Sequence, residues 1–193
     1  MINRIGNFFF KYIGFTPIPI ALMITYWHQE FNLIMVGVGL PILLLGEIIR
    51  ILSVRHIGGK SRTRKVWAPQ LITSGPYNYI RHPLYVGNFL IYIGIEIMSN
   101  PAHPFLETIL LLTFFISQYY FIVLLEEKKL ENLFNTSFQE YVKNVNRFIP
   151  KLKRYTTSNS KNSLSFKKVL KHEFSTLLNS AIMLYLIFGT QGF

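Results

Sequence analysis

Long apolar runs recurring along the chain constrain its fold more than any other feature. A helix that crosses a bilayer needs about 20 mostly apolar residues, and four or five segments approach that requirement. They are residues 8–27 (FFFKYIGFTPIPIALMITYW), 33–52, 83–98, 104–125 (PFLETILLLTFFISQYYFIVLL) and 174–190. The first carries Lys11, which can snorkel to the interface, and Pro17 and Pro19, which predict a kink. The last is short and reads either as a fifth span or as an interfacial helix. Composition agrees, since 50% hydrophobic residues against 15% charged is too apolar for an ordinary soluble domain of this length. The expectation is an all-α integral membrane helical bundle with about five transmembrane helices, one domain over residues 1–193, and a cytoplasmic amphipathic segment at 126–172.

The basic residues fix an orientation. The connections 28–32 (HQEFN) and 99–103 (SNPAH) contain no Lys or Arg, and neither does the C-terminal GTQGF. Residues 53–82 contain Arg55, Lys60, Arg62, Arg64, Lys65 and Arg81, and 128–171 contain eleven more. With Arg4, Lys11 and Arg50, all 20 fall on one side of a five-span chain. The positive-inside rule makes that side cytoplasmic. A net charge of +11 would otherwise suggest nucleic acid, but a nucleic-acid binder has no reason to sort charge by loop parity. The basic start lacks a small-residue cleavage site, so the N-terminus reads as an uncleaved first span.

There is no cysteine and no aspartate. That excludes thiol nucleophiles, thiolate metal sites and disulfides. His28, His56, His103 and His172 are scattered, so no metal site is expected. The basic loop 55–65 is an orientation signal that also contacts anionic lipid, with Trp67 as its anchor. Residues 155–165 (YTTSNSKNSLS) read as a mobile linker. Before them, EEKKLENLFNTSFQEYVKNVNRFIP reads as an amphipathic helix with Leu130, Leu133 and Phe134 on one face, broken near Asn135 and ended at Pro150.

Two polar clusters stand at helix ends where the helix dipole disfavours them. Arg81 and His82 precede the third span at Pro83, adding positive charge to an already positive N-terminus, which suits an anion. Glu126 and Glu127 follow the fourth span, at a partially negative C-terminus, and suit a cation or a set of hydroxyls. Topology puts both on the cytoplasmic face, where together they form a zwitterion-shaped site. Pro83 fits a first helical turn, and Gly87 lets a ligand or another backbone come close. The plainer alternatives are that Arg81 and His82 are flanking charge with Tyr77, Tyr79 and Tyr85 as belt aromatics, and that the glutamates pair with Lys128 or Lys129. The joint occurrence on one face favours the site. Glu47 and Arg50, three apart, are expected to pair within their helix. Glu96 and Glu107, near external helix ends, are expected to be solvated, and the glycines of GVGLP (37–41) to serve helix packing.

At these residues the sequence resembles the isoprenylcysteine carboxyl methyltransferase family and its relatives, the phospholipid N-methyltransferases. The elements that carry the resemblance are Gly75-Pro76-Tyr77, Arg81-His82-Pro83, Tyr85, Gly87, Glu126-Glu127, Leu130, Glu140-Tyr141 and Arg147-Phe148-Ile149-Pro150, over roughly residues 45–150. The chain departs at Asn135, where the family commonly has glycine; asparagine also tolerates a left-handed conformation.

The resemblance implies an integral membrane methyltransferase that uses S-adenosylmethionine, held near the cytoplasmic ends of the last spans. The cofactor-binding residues it implies are Tyr77, Arg81, His82, Pro83, Tyr85, Gly87, Glu126, Glu127 and Tyr141, with Arg147 closing the site. Arg81 and His82 would take the carboxylate end, and a glutamate the ammonium or ribose. A soluble-type methyltransferase domain is excluded, because no segment left after the spans is long enough for a nucleotide-binding α/β unit. The acceptor is expected to be lipophilic or prenylated, entering from the membrane between helices. A carboxylate acceptor needs no base, and Arg147 or Arg50 would orient it; an amine acceptor would make Glu127 or His82 the base. A rival is a membrane NADPH-dependent sterol-type reductase, whose comparable motif usually has Asn where this chain has Leu84. A second is a non-catalytic membrane scaffold.

Overall fold

The computed structural model describes residues 2–12, 17–58, 70–155 and 163–189. Among these the chain is all-helical, with two isolated backbone bridges and no strand. The helices are α1 (Ile2–Tyr12), α2 (Ile18–Tyr26), α3 (Leu33–Ile57), α4 (Pro83–Met98), α5 (Pro104–Asn144) and α6 (Phe166–Phe188). The basic loop over 59–69, including Lys60, Arg62, Arg64, Lys65 and Trp67, and most of the expected linker, 156–162, lie outside the described residues.

α3 and α5 are long and apolar enough to cross a membrane, and α4 is a shorter apolar helix. Only 28% of the apolar window of α3 is buried inside the protein. Leu33, Ile34, Val38, Leu44, Leu45 and Ile48 point outward. In water such a surface would be untenable; against lipid tails it is the expected one.

Within the first expected span, α1 is described to Tyr12 and α2 from Ile18, after Pro17, with Pro19 in its first turn, where a missing N–H costs nothing; residues 13–16 between them lie outside the described residues. α3 is opened by Asn32, whose side chain accepts from the N–H of Ile34 (3.0 Å) and Met35 (3.4 Å). It is closed by Gly58 at φ +75°. α5 runs through the expected boundary at Leu125 and breaks at Asn135 (φ 38°, ψ −109°), as expected, into a second helical segment that ends at Asn144, before Pro150. α6 begins eight residues before the expected span at 174, which brings Glu173 inside it.

α3 and α4 pack antiparallel along two pairs of glycines seven residues apart. Gly39 lies against Gly94, and Gly46 against Gly87; a Cβ on Gly46 would stand 2.7 Å from the Gly87 carbonyl oxygen. Small residues at this spacing let two backbones approach, which is how helices associate where no hydrophobic driving force exists between them. Of the GVGLP glycines, Gly39 therefore serves packing, while Gly37 meets nothing within 4 Å. Gly87, open on sequence grounds to a ligand or a backbone, is filled by α3: a Cβ there would meet the Cγ of Arg50 at 2.6 Å.

One main core joins α2, α4, α5 and α6 through Ile24, Ile95, Leu111, Phe115, Ile122 and Ile187. A second, smaller core forms where α5 passes its kink, around Phe138, Tyr141 and Val145, with Leu130 and Phe134 packed against it. Leu133 is exposed, contrary to the amphipathic face read from sequence. Glu96 and Glu107 also depart from expectation. Both are buried: Glu96 accepts from the Thr108 hydroxyl (2.7 Å), and Glu107 accepts from the His103 N–H (3.0 Å) at the start of its own helix. Each acid accepts from a donor near the start of α5, although Glu107 Oε2 has no partner among the described residues.

The basic-free connections meet at one end of the bundle. Gln29 donates its N–H to the Ser99 carbonyl (3.1 Å), and Ala102 to that of Trp27 (3.1 Å). The motif residues gather elsewhere.

Candidate functional site

The start of α4 is held by a returning strand-like segment. Beyond α5, residues 145–155 run beside 77–82 through backbone bonds: Arg81 N–H to Asn146 O (2.8 Å), His82 N–H to Arg147 O (3.1 Å), Lys151 N–H to Tyr79 O (3.1 Å) and Tyr155 N–H to Asn78 O (3.2 Å). The Tyr141 hydroxyl donates to the Tyr77 carbonyl (2.7 Å). Tyr77 and Asn78 sit in a short 3-10 turn entered at Gly75, whose φ of 62° glycine adopts without strain. The Arg-Phe-Ile-Pro element is thus brought onto the Arg-His-Pro element by main-chain pairing. Tyr77 and Tyr85 are buried, so they are not belt aromatics; Tyr79 is the exposed one of the three.

At the centre stands Glu127. Its Oε1 accepts from Arg81 Nε (3.0 Å) and His82 Nε2 (3.2 Å), and its Oε2 from Arg147 Nε (3.0 Å) and Nη2 (2.7 Å). Burial alone would push this carboxyl up, but hydrogen bonds from His82 and Arg147 and the charges of His82 and Arg81 outweigh it and hold it at about 2. Glu127 is therefore ionised at neutral pH and a poor base.

His82 faces a carboxylate with each ring nitrogen, Nε2 toward Glu127 and Nδ1 toward Glu126 Oε2 at 3.5 Å. A neutral imidazole would turn a lone pair onto one of those oxygens, so the arrangement favours the protonated ring. Its pKa lies above the ordinary value: burial disfavours the charge, and bonds to the two carboxylates more than offset that. The ring stacks on Tyr85, which in turn stacks on Tyr119 with centroids 4.6 Å apart. The Tyr85 hydroxyl donates to Glu126 Oε1 (2.8 Å). Both glutamates thus turn across to α4 and the returning segment.

The two sequence clusters do meet on one face. They do not, however, lie side by side as separate anion and cation sites. Arg81 is committed to Glu127 and, through Nη1, to the carbonyls of Val142 (3.1 Å) and Val145 (2.7 Å). What remains for a ligand is Glu126, the half-exposed Arg147 (side chain 43% accessible) and the Tyr77 hydroxyl. That hydroxyl is buried, has no hydrogen-bond partner among the described residues, and feels the charge of Glu126. Pro83 opens α4 and exposes no polar group.

Arg50 belongs to a second cluster, deeper between α3, α4 and α6. Glu47 does not pair with it, because Glu47 accepts from Ser180 Oγ (2.8 Å) on α6. The partner of Arg50 is Glu173, gripped two-pronged through Nε (2.8 Å) and Nη2 (3.0 Å), with Thr176 Oγ1 at 3.2 Å and Asn88 Oδ1 completing the guanidinium. Sequence reading missed Glu173, Asn88, Thr176 and Ser180. Glu173 is a lone acid among lysines before an apolar run, and that signal could have marked it as a membrane-facing partner for Arg50.

The family model for phospholipid methyltransferases matches residues 34–137. The chain belongs to this family. A rice protein (Oryza sativa subsp. indica) named "Probable protein-S-isoprenylcysteine O-methyltransferase" is 30% identical over 131 residues, covering 65% of this chain and 63% of its own. The protein-S-isoprenylcysteine O-methyltransferase of Xenopus laevis is 31% identical over 60% of this chain and 41% of its own. A cobalt-zinc-cadmium resistance protein of Cupriavidus metallidurans is 31% identical over 58% of this chain and 47% of its own. The chain thus spans less than two thirds of the length of these relatives. No solved structure matches it.

As a phospholipid methyltransferase family member, the chain carries within the matched region the start of α4, Glu126 and Glu127, and Arg50. Arg147 and all of α6 lie beyond it. Membership of this family, with relatives named O-methyltransferases, favours the methyltransferase reading over the reductase one.

Proposed function

We propose that the protein is an integral membrane methyltransferase, one domain over residues 1–193 with about five spans, whose site faces the cytoplasm and takes S-adenosylmethionine and a lipophilic, prenyl-type carboxylate acceptor. The observation that carries the reading is the convergence of Arg81, His82, Arg147 and Glu126 around one buried Glu127, with the Tyr77 hydroxyl left unbonded beside them. Relatives named isoprenylcysteine O-methyltransferases support the acceptor class.

The residues present fit the cofactor. Glu126 suits its ammonium or ribose hydroxyls, the outer edge of Arg147 its carboxylate, and the Tyr77 hydroxyl one further hydrogen bond. Tyr85, Tyr141, Pro83 and Gly87 hold these groups in place, as do Arg81, His82 and Glu127. When bound, S-adenosylmethionine supplies a methyl group already activated by its sulfonium. The chain's own task is then to align the acceptor in line with that methyl and to exclude water.

The protonation states favour a carboxylate acceptor. Glu127 is held at about 2, a poor base at neutral pH, and both ring nitrogens of His82 already face carboxylates, so neither base considered for an amine acceptor is free to take its proton. A carboxylate is already an anion and needs none. The family model's phospholipid methyltransferase description is the one observation for an amine acceptor. Membranes incubated with methyl-labelled S-adenosylmethionine decide between them: base-labile label on prenylated carboxyl is expected, and base-stable label in phospholipid amine would replace this reading. Tyr77→Phe, which removes no bond of the free protein, should weaken cofactor binding by about tenfold in calorimetry, the worth of one buried hydrogen bond; unchanged affinity would remove Tyr77 from the site.

A further inference from the structure

Arg50 was expected to orient the acceptor, and its guanidinium is already occupied by an acid of the same chain. Glu173 is fully buried, and both its oxygens face the fork at 2.8 and 3.0 Å. Oε2 is shared between Nε and Nη2, the latter at 2.7 Å, and pairing with both carboxylate oxygens is how arginine recognises any carboxylate, an acceptor's included. The fork stands about one helical turn, roughly 5 Å, below the cofactor candidates, because Asn88 on Arg50 follows Tyr85 on Glu126 by three residues of α4.

α6, which brings Glu173, is outside the family's matched region of 34–137. Its outer face (Phe174, Leu178, Ile182, Tyr185) is apolar and exposed, suited to lipid, while its inner face adds Thr176 to Arg50 and Ser180 to Glu47. The helix therefore covers the fork from the membrane side. We infer that Glu173 is a specificity-determining residue: an internal carboxylate that holds the Arg50 fork against acceptor carboxylates, so that only an acceptor whose lipid anchor wedges α6 aside gains it. This rests on the proposed carboxylate-acceptor reading.

Glu173 reads directly in equilibrium binding. Purified protein in detergent is titrated with an S-farnesyl cysteine carboxylate and with its carboxamide, and the ratio of the two affinities is compared between wild type and Glu173→Gln. The ratio is expected to rise tenfold or more in favour of the carboxylate, because the fork is released from a competing charge. Glu173→Asp, which keeps the charge and guards against a misfolded Gln variant, should raise it about threefold by loosening the grip. An unchanged ratio in both variants overturns the inference, and so does an equal loss of affinity for acid and amide, which would make Glu173 purely structural. Methyl transfer by wild type is measured in parallel. Its absence with a risen ratio would fail the proposed reaction and leave the Arg50 competition standing.

Discussion

Arg81 Nε and Glu127 Oε1 lie 3.0 Å apart although 46 residues separate them in the chain. The same carboxylate takes His82 and Arg147, so one acid binds three basic side chains brought in by the start of α4 and by the segment after α5. A buried charge with partners in this number is costly to orphan and stable when complete.

Glu127→Ala leaves Arg81, His82 and Arg147 facing one another with only Glu126 near. The loss is expected to be about 3–5 kcal/mol, the usual cost of breaking a buried ionic group. Thermal unfolding in detergent measures it, and a loss under 1 kcal/mol would mean the carboxylate is not the keystone. Cofactor binding should vanish with it.

The pH dependence of stability has two edges. Glu127 is depressed from 4.5 to about 2, so its contribution is full above 4.5 and disappears as pH falls toward 2. His82 is raised above 6.5, so its contribution is full below 6.5 and disappears as pH rises through the higher folded value. Denaturation midpoints recorded against pH should therefore plateau between about 4.5 and 6.5. In His82→Gln the fall on the alkaline side should flatten; persistence of the wild-type slope would assign it to another group.

Gly46→Ala places a methyl 2.7 Å from the Gly87 carbonyl oxygen, which is backbone and cannot swing away. A destabilisation of about 1–3 kcal/mol is expected. Gly37→Ala, with nothing within 4 Å, should be neutral within about 0.5 kcal/mol. Equal effects at the two positions would contradict the antiparallel glycine contact.

Asn135 holds φ at 38° in the kink that turns α5 toward the second core. Asn135→Gly removes that strain and is expected to stabilise by about 1 kcal/mol, while Asn135→Val should destabilise by more, since a β-branched residue resists positive φ. Chemical denaturation of the two variants orders them; a Val variant as stable as wild type would show that the kink relaxes.

What the sequence determined by itself was local and periodic. Apolar runs predicted α4 at its observed bounds and the presence of α3 and α5, and loop parity put Arg81, His82, Glu126 and Glu127 on one face, where they meet; the helix-dipole argument holds only for Arg81 and His82, because α5 does not end before the glutamates. Asn135 was legible because few residues accept its conformation. What only the tertiary structure decided was pairing. Glu47 sits one turn from Arg50 and still loses it to Glu173, 123 residues on, because α6 offers a two-pronged acceptor and a serine for Glu47 instead. Likewise Glu96 and Glu107, at helix ends that suggested solvent, are buried because Thr108 and the His103 N–H reach them. Helix periodicity is written into every few residues, whereas a charge chooses its partner by geometry and desolvation, and those exist only once the helices have met.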